Sequence, residues 1–274
     1  MRKISISIVV FDTPPREIEC CIRSLLGAIE YYSSTTHSFS EVQIFIVNNG
    51  EQDLTSILEL LTDSEDFREL AFKFELIEGH GNIGYGAAQN LALKDTNALF
   101  HLIMNPDVLV SKDALYEGIR FLESNPDVAI VSPNAADKDS AKQYLCKQYP
   151  TVFSLILRGI MPEFICTLFR DNLNCYEMRQ LPEDQPSVEI PLVSGCFMLG
   201  KTRALKSVNG FDDSYFLYFE DFDLSIRLSE DYKLAYLPSM KIIHYGGSAG
   251  RKGFRHIFMF LSSAFRFFNS YGWR

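Results

Sequence analysis

Short apolar runs that alternate with helical patterns constrain this chain more than any other feature. Residues 4–10 (ISISIVV), 42–47 (VQIFIV), 72–77, 98–104 (ALFHLIM) and 128–131 (VAIV) each have the length of a strand. Pro14 and Pro15 open a helical pattern that runs to Leu26, and further helical patterns cover residues 54–61 and 87–94. This order predicts an α/β fold with a mainly parallel central sheet, flanked by helices and buried on both faces. The alternation stops near Asn134. Residues 134–185 read as an inserted helical lobe that closes in a polar linker (LPEDQP). Beyond it, residues 194–200 read as a strand and residues 224–228 as a helix. A long aromatic helical pattern runs from Phe254 to the end. The expected organisation is a main domain over residues 1–250, carrying the lobe, and a C-terminal amphipathic helix over residues 251–274.

The net charge of −9 argues against general nucleic-acid binding. That charge is uneven: from Arg251 onward the chain has Lys252, Arg255, Arg266 and Arg274 and no acid. Cys20, Cys21, Cys146, Cys166, Cys175 and Cys196 form no C-x-x-C pair, which suits reduced thiols in a cytosolic protein. The opening MRKISISIVVFDTPP has a short apolar run interrupted by serines, and reads as a first strand rather than a signal peptide. No run of 18 or more uncharged apolar residues is present, so no membrane span is predicted.

Sheets of this kind bind ligands at the carboxyl ends of their strands. The polar residues there are Asp12, then Asn48 and Asn49, then the glycine run with Asn82, then Asn105, Pro106 and Asp107. Gly79, Gly81 and Gly84 spell G-x-G-x-x-G after a strand and before a helix. The spacing admits a dinucleotide site, and equally a glycine-rich strand-to-helix turn. The tetrapeptide NPDV occurs at residues 105–108 and again at 125–128, where it looks like a plain turn. Only the first copy follows a buried strand, where an aspartate can bind a divalent cation that also holds a diphosphate.

The segment GFDDSYFLYFEDFDLSIRL sets Glu220, Asp221 and Asp223 among Phe211, Phe216, Phe219 and Phe222. Carboxylates in apolar surroundings have raised proton affinity, which suits a general base. An acidic helix start accounts for Glu220 and Asp221 as well, but not for the aromatic setting. In KIIHYGGSAGRKG, His244 ends an apolar run, the glycines let backbone approach a ligand, and Arg251 and Lys252 can neutralise phosphate.

Taken in order, ISISIVVFD, IVNNG, NIGYGAAQN, LIMNPDV, SGCFMLG, GFDDSYFLYFEDFDLSIRL and IIHYGGSAGRKG resemble the motifs of family 2 inverting glycosyltransferases, which have the GT-A fold. The NPDV, EDFD and HYGG forms look most like bacterial rhamnosyltransferases that use dTDP-rhamnose in O-antigen or similar polysaccharide assembly. The pieces KQYPTVFSLILRG and YEM look like the branch that adds rhamnose to a lipid-linked GlcNAc. The resemblance implies that Asp12, Asn48, Asn82, Gly84, Gly86, Asn105, Arg251 and Lys252 face the nucleotide sugar. It implies a Mg²⁺ or Mn²⁺ ion on Asp107 and His244, Asp221 as catalytic base, and Ser194, Gly195 and Glu220 on the acceptor side. Asn48 stands where the family often has an aspartate, and the metal motif keeps a single acid.

The implied reaction is one displacement. Asp221 takes a proton from the acceptor hydroxyl, whose oxygen attacks the anomeric carbon from the face opposite the diphosphate, so a β-linked donor gives an α-linked product. A glycosyltransferase using a UDP-hexose, a dehydrogenase, a nucleotide-sugar-binding module and a nucleotidyltransferase are the rival readings. In the final helix, Phe254, Ile257, Phe258, Leu261, Phe265 and Phe268 share one face and Arg255, Ser262, Arg266 and Asn269 another. That face either packs on the domain or lies in the interface of a membrane, as a cytoplasmic, peripheral enzyme with a polyprenyl-diphosphate-linked acceptor requires.

Overall fold

The computed structural model describes residues 4–37, 42–62, 72–159, 161–246 and 253–273. β1 (Ile4–Val10), α1 (Pro15–Thr36), β2 (Val42–Asn48), α2 (Thr55–Thr62), β3 (Phe72–Ile77), α3 (Tyr85–Asp95) and β4 (Phe100–Met104) form the alternating first half. β5 (Val108–Val110), α4 (Ala114–Ser124), β6 (Val128–Ala136), β7 (Lys142–Gln143) and β8 (Cys146–Lys147) follow. Then come α5 (Val152–Gly159), α6 (Glu163–Leu168), α7 (Arg170–Tyr176), β9 (Ser187–Val188), β10 (Leu192–Val193), β11 (Phe197–Lys201) and α8 (Thr202–Ser207). α9 (Glu220–Leu228), β12 (Lys233–His244) and α10 (Gly253–Tyr271) complete the chain.

The main sheet runs β3-β2-β1-β4-β11-β6-β12-β5, with β7 on β6 and β9 on β12. β1 to β4 are parallel, as the βα alternation predicts. The strands added beyond β4 make the sheet mixed: β11 is antiparallel to both β4 and β6, and β5 is antiparallel to β12. Every residue of β1, β2 and β4 is buried, because helices cover both faces.

The serines that interrupt the first apolar run have a structural use. Ser5 and Ser7 bond the two ring nitrogens of His101 at 2.7 and 3.0 Å, Thr96 bonds Ser5 at 2.7 Å, and Ser7 donates to Gln89. A buried polar group needs such partners. Burial pushes the His101 imidazole down to about 3, so it is neutral in the core.

The inserted lobe departs from its sequence reading at the start. Residues 134–147 are not helical: β6 continues to Ala136, β7 pairs with it, and β8 pairs with β10. The helices begin only at Val152. The long strand β12 was invisible in the sequence beyond its last residues, because Pro238 and Ser239 break the apolar pattern where the pairing with β6 shifts register. All six cysteines are unpaired.

Candidate active site

The ends of the first strands meet through one side chain. Asn49, buried at the end of β2, accepts from the Ile83 N–H at 3.1 Å and donates to Asn82 Oδ1 at 3.1 Å and to the Gly84 carbonyl at 3.3 Å. It therefore shapes the turn that enters α3. Asn48 donates to the Gln52 carbonyl at 2.6 Å and to Glu78 Oε2 at 3.5 Å, and accepts from the Gly50 N–H at 3.3 Å. Asp12 and Asn82 are exposed, Asp12 in the left-handed region at φ 48°.

The glycines expected to face the nucleotide also serve packing. Gly84 has φ 93°, and a Cβ there would lie 2.5 Å from the Phe216 carbonyl oxygen. A Cβ on Gly86 would lie 2.8 Å from Phe211 Cβ. Both glycines are buried and let α3 dock on the 211–216 segment, whose Phe216 carbonyl accepts the Tyr85 N–H at 3.0 Å. Asn90 completes the clasp, accepting the Phe211 N–H at 2.9 Å and donating to Asp213 at 2.7 Å.

The antiparallel pairing of β5 with β12 sets His244 opposite Val108, one residue from Asp107. His244 Nε2 lies 3.6 Å from Asp107 Oδ1, which is buried and has no hydrogen-bond partner. Gln143 fixes the ring. Its Nε2 donates to the carbonyls of His244 and Gly246 at 2.9 and 3.1 Å, so its Oε1 must accept from His244 Nδ1 at 2.7 Å. A neutral His244 then turns the Nε2 lone pair toward a carboxylate oxygen. A cation between them, or a proton on Nε2, satisfies both. A Cβ on Gly246 would lie 2.4 Å from Asp107 Oδ2 and 2.9 Å from His244 Nε2, so only glycine leaves this corner open. The donor set fits a hard divalent ion with two protein ligands. Among the described residues no cluster of three or more His, Cys, Asp or Glu side chains occurs, so a ligand diphosphate and water would complete the shell. Asn105 precedes this corner, its N–H bonded to the Cys196 carbonyl at 2.9 Å. Arg251 and Lys252 lie outside the described residues.

The acidic pair opens α9. Tyr218 and Phe219, at φ 70° and 66°, turn the chain into the helix through a strained conformation. Phe219, Phe260 and Phe267 form part of the aromatic cluster that holds it there. Glu220 is buried and its Oε2 has no partner. Asp221 accepts the Gly195 N–H on Oδ2 and the Phe222 N–H on Oδ1, each at 2.9 Å. Burial raises the proton affinity of both carboxyls, and the Asp221 charge adds to the rise at Glu220. Burial drives Glu220 well above the carboxylate range, while the two N–H donors on Asp221 favour its ionised form. Asp223 is excluded from this chemistry, since it chelates Arg227 and accepts from Tyr271 at 2.6 Å.

Gly195 is wedged between Asp221 and Tyr85: a Cβ would lie 3.3 Å from Asp221 Cβ and 3.4 Å from Tyr85 Cε1. The Tyr85 hydroxyl donates to the Gly195 carbonyl at 2.6 Å, so it orients the peptide that holds the acid. Ser194 is half-buried beside it. Sequence reasoning marked Asn49 only as a strand-end residue, and missed Tyr85, Asn90 and Gln143. Tyr85 and Asn90 lie within a motif already singled out; nothing in the sequence around Gln143 marks it.

The profile of glycosyl transferase family 2 matches residues 5–208. Rhamnosyltransferase WbbL of Escherichia coli (strain K12) is 26% identical over 258 residues, covering 82% of this chain and 92% of that protein. The N-acetylglucosaminyl-diphospho-decaprenol L-rhamnosyltransferase of Mycobacterium tuberculosis (strain ATCC 25618 / H37Rv) is 26% identical over 198 residues, covering 66% of this chain and 62% of the relative. Among solved structures, S. aureus TarS 1-349 in complex with UDP aligns with a TM-score of 0.54 at 15% identity, over 95% of this chain and 65% of TarS. GalNAc-T7 with UDP, GalNAc and Mn²⁺ aligns with a TM-score of 0.61 at 11% identity, over 88% of this chain and 43% of that one. These likenesses are of fold. The family profile spans the strand-end loops from Asp12 to Gly195, and with it the chain belongs to glycosyl transferase family 2, an enzyme of the GT-A fold.

Proposed function

We propose that this enzyme transfers a rhamnosyl group from dTDP-rhamnose to a hydroxyl of lipid-linked GlcNAc, with inversion, in the assembly of a surface polysaccharide such as O-antigen. The observation that carries the transfer chemistry is the half-buried Asp221, held by two N–H groups beside a buried glutamate whose proton affinity is raised. The sugar and the acceptor rest on the two rhamnosyltransferase relatives, one matched over 92% of its length.

The acceptor hydroxyl donates to Asp221. As its oxygen forms the new bond to the anomeric carbon, the proton passes to Asp221 and the bond to the diphosphate breaks with its electron pair. The Gly195 and Phe222 N–H groups hold the carboxylate in one orientation, and Tyr85 holds the Gly195 peptide. Asp107 and His244 would hold Mg²⁺ or Mn²⁺, which neutralises charge on the departing diphosphate. Transfer assays with dTDP-rhamnose and UDP-hexoses on a GlcNAc-diphosphate-lipid test the reading, with the product anomer read by NMR. Rhamnosyl transfer with inversion is expected. Transfer from a UDP-hexose and none from dTDP-rhamnose would overturn it.

The acceptor lipid requires contact with a membrane, and we assign this to α10 on the cytoplasmic face. No helix among the described residues is long and apolar enough to cross a membrane. α10 instead has two apolar faces. Phe260, Ser263, Ala264, Phe267, Phe268 and Tyr271 pack inward, while Phe254, Ile257, Phe258, Leu261 and Phe265 are exposed. The stripe read from the sequence thus faces out, except Phe268, which belongs to the core. Exposed Phe164 and Leu168 on α6 and Phe153 on α5 extend the apolar surface of the lobe, and Leu155 of α5 joins the cluster beneath α10. Arg255 and Arg266, on an end of the chain without acids, suit anionic headgroups.

A further inference from the structure

The lobe brings three cations around one carboxylate. Glu177, just past α7, takes Arg179 Nη2 and Nε on Oε2 at 2.6 and 2.9 Å. Its Oε1 lies 3.5 Å from Arg158 Nε and 3.9 Å from Lys147 Nζ. Tyr144 lies under Arg179 and Tyr176 under Lys147, with ring centroids 4.9 and 5.8 Å away. Arg179 takes only Oε2 and Arg158 and Lys147 share Oε1, so one carboxylate charge faces three cations and the cluster is positive in excess. Lys147 is the unusual member. Its side chain is only 5% exposed, and its ammonium donates to the Tyr144 carbonyl at 2.5 Å. Burial and the neighbouring Arg158 push it down to about 8. Arg158 and Arg179 keep side-chain exposures of 53% and 45%, so a ligand can reach them.

The cluster adjoins the acidic pair. β8 carries Lys147 opposite Leu192 on β10, and the Ser194 N–H donates to the Leu145 carbonyl at 2.9 Å. The next residue, Gly195, is the one that holds Asp221. The charges also reach each other: Arg158 lowers the proton affinity of Asp221, and Asp221 raises that of Tyr176.

We propose that Lys147, Arg158 and Arg179 bind the diphosphate of the acceptor, leaving its sugar hydroxyl at Asp221. The exposed guanidiniums of Arg158 and Arg179 can bond the oxygens of a diphosphate, and the buried Lys147 ammonium adds its charge. Its negative charge would balance the excess that Glu177 leaves. The donor diphosphate has its own place at Asp107 and His244, so the two anions do not compete. The inference rests on the reading of the acceptor as a lipid-linked diphosphate sugar.

Calorimetric titration of the full-length protein with geranyl diphosphate, in EDTA and saturating dTDP, tests the subsite apart from turnover. Binding is expected, weakened about tenfold or more by Arg158→Gln and by Arg158→Gln with Arg179→Gln, and tightened by Glu177→Gln. Arg158→Gln, at a half-exposed side chain, keeps the test valid if the double variant unfolds. In transfer assays Arg158→Gln should raise KM for a GlcNAc-diphosphate-lipid about tenfold, and leave KM for a neutral alkyl GlcNAc glycoside unchanged. Absent binding, or equal affinity in wild type and variants, overturns the subsite. Arginine-dependent binding in a protein that transfers no rhamnose supports the subsite and rejects the donor reading alone.

Discussion

The Tyr271 hydroxyl donates to Asp223 Oδ1 at 2.6 Å, fastening the last turn of α10 to α9 two residues beyond Asp221. The other oxygen of Asp223 is taken by Arg227, which also donates to the Val208 and Gly210 carbonyls at 2.6 and 2.8 Å. Helix α10 is therefore built into the site. Tyr271→Phe should lower stability by about 1.5–3 kcal/mol, the usual worth of a hydrogen bond to a charged group. Calorimetry should show a melting temperature a few degrees lower; an unchanged value would mean that α10 is held by its aromatic contacts alone.

Glu220 and Asp221 are adjacent, and their surroundings differ: Asp221 accepts two N–H groups, while Glu220 Oε2 has no partner. Asp221→Asn should keep donor affinity and lose about a hundredfold or more in turnover. Glu220→Gln imitates the protonated acid that burial already enforces, and should keep most of the activity. Equal losses in both variants would show that the pair works as one unit.

The same pair sets a pH dependence. Burial raises the proton affinity of Asp221, so kcat/KM should climb with pH along a limb above the range of an exposed aspartate. Stability runs the other way. The folded chain holds protons that the unfolded chain releases, so stability falls as pH rises from the ordinary carboxylate range through the raised one. Glu220→Gln removes its share of that loss, and should raise the melting temperature at pH 7 but not at pH 3.

At the opposite corner, Asp107→Ala should abolish the metal-dependent part of donor binding and His244→Ala should weaken it. Gln143→Leu removes the acceptor of His244 Nδ1 and should weaken the metal response about ten- to a hundredfold. Donor titrations with and without EDTA measure all three. Wild-type affinity that ignores EDTA would remove the metal from this corner.

How much of this was legible depends on what each residue type encodes. Burial on both faces leaves apolar runs, so β1, β2 and β4 could be read directly. β12 could not, because Pro238 and Ser239 hide it, and with it went the pairing that brings His244 to Asp107. The sequence marked both residues as ligands but not as neighbours. It also marked the glycines at 84 and 86 without their purpose: space for Phe216 and Phe211 is a tertiary fact with no local signature. The resemblance named Asp221 rather than Glu220 as the base, but the Gly195 N–H that holds it, from the turn before β11, is a tertiary contact with no local signature.

The last prediction concerns the outer face of α10. Phe258 and Leu261 are 74% and 59% exposed, so replacing both with glutamate should leave the core contacts of Phe267 and Phe268 in place. An amphipathic helix binds an interface through its buried apolar area and its cations together. The wild-type protein should sediment with anionic liposomes, less so at high salt, because screening weakens the attraction of Arg255 and Arg266 to the headgroups. Phe258→Glu with Leu261→Glu should stay in the supernatant while keeping the wild-type melting temperature. That pairing matters, since loss of binding with loss of fold would only show that the stripe supports the domain. Turnover on a short-chain, water-soluble acceptor should survive in the same variant, whereas turnover on a polyprenyl-linked acceptor in vesicles should drop. Wild-type protein left in the supernatant at low salt would end the membrane reading and return the exposed stripe to some other contact.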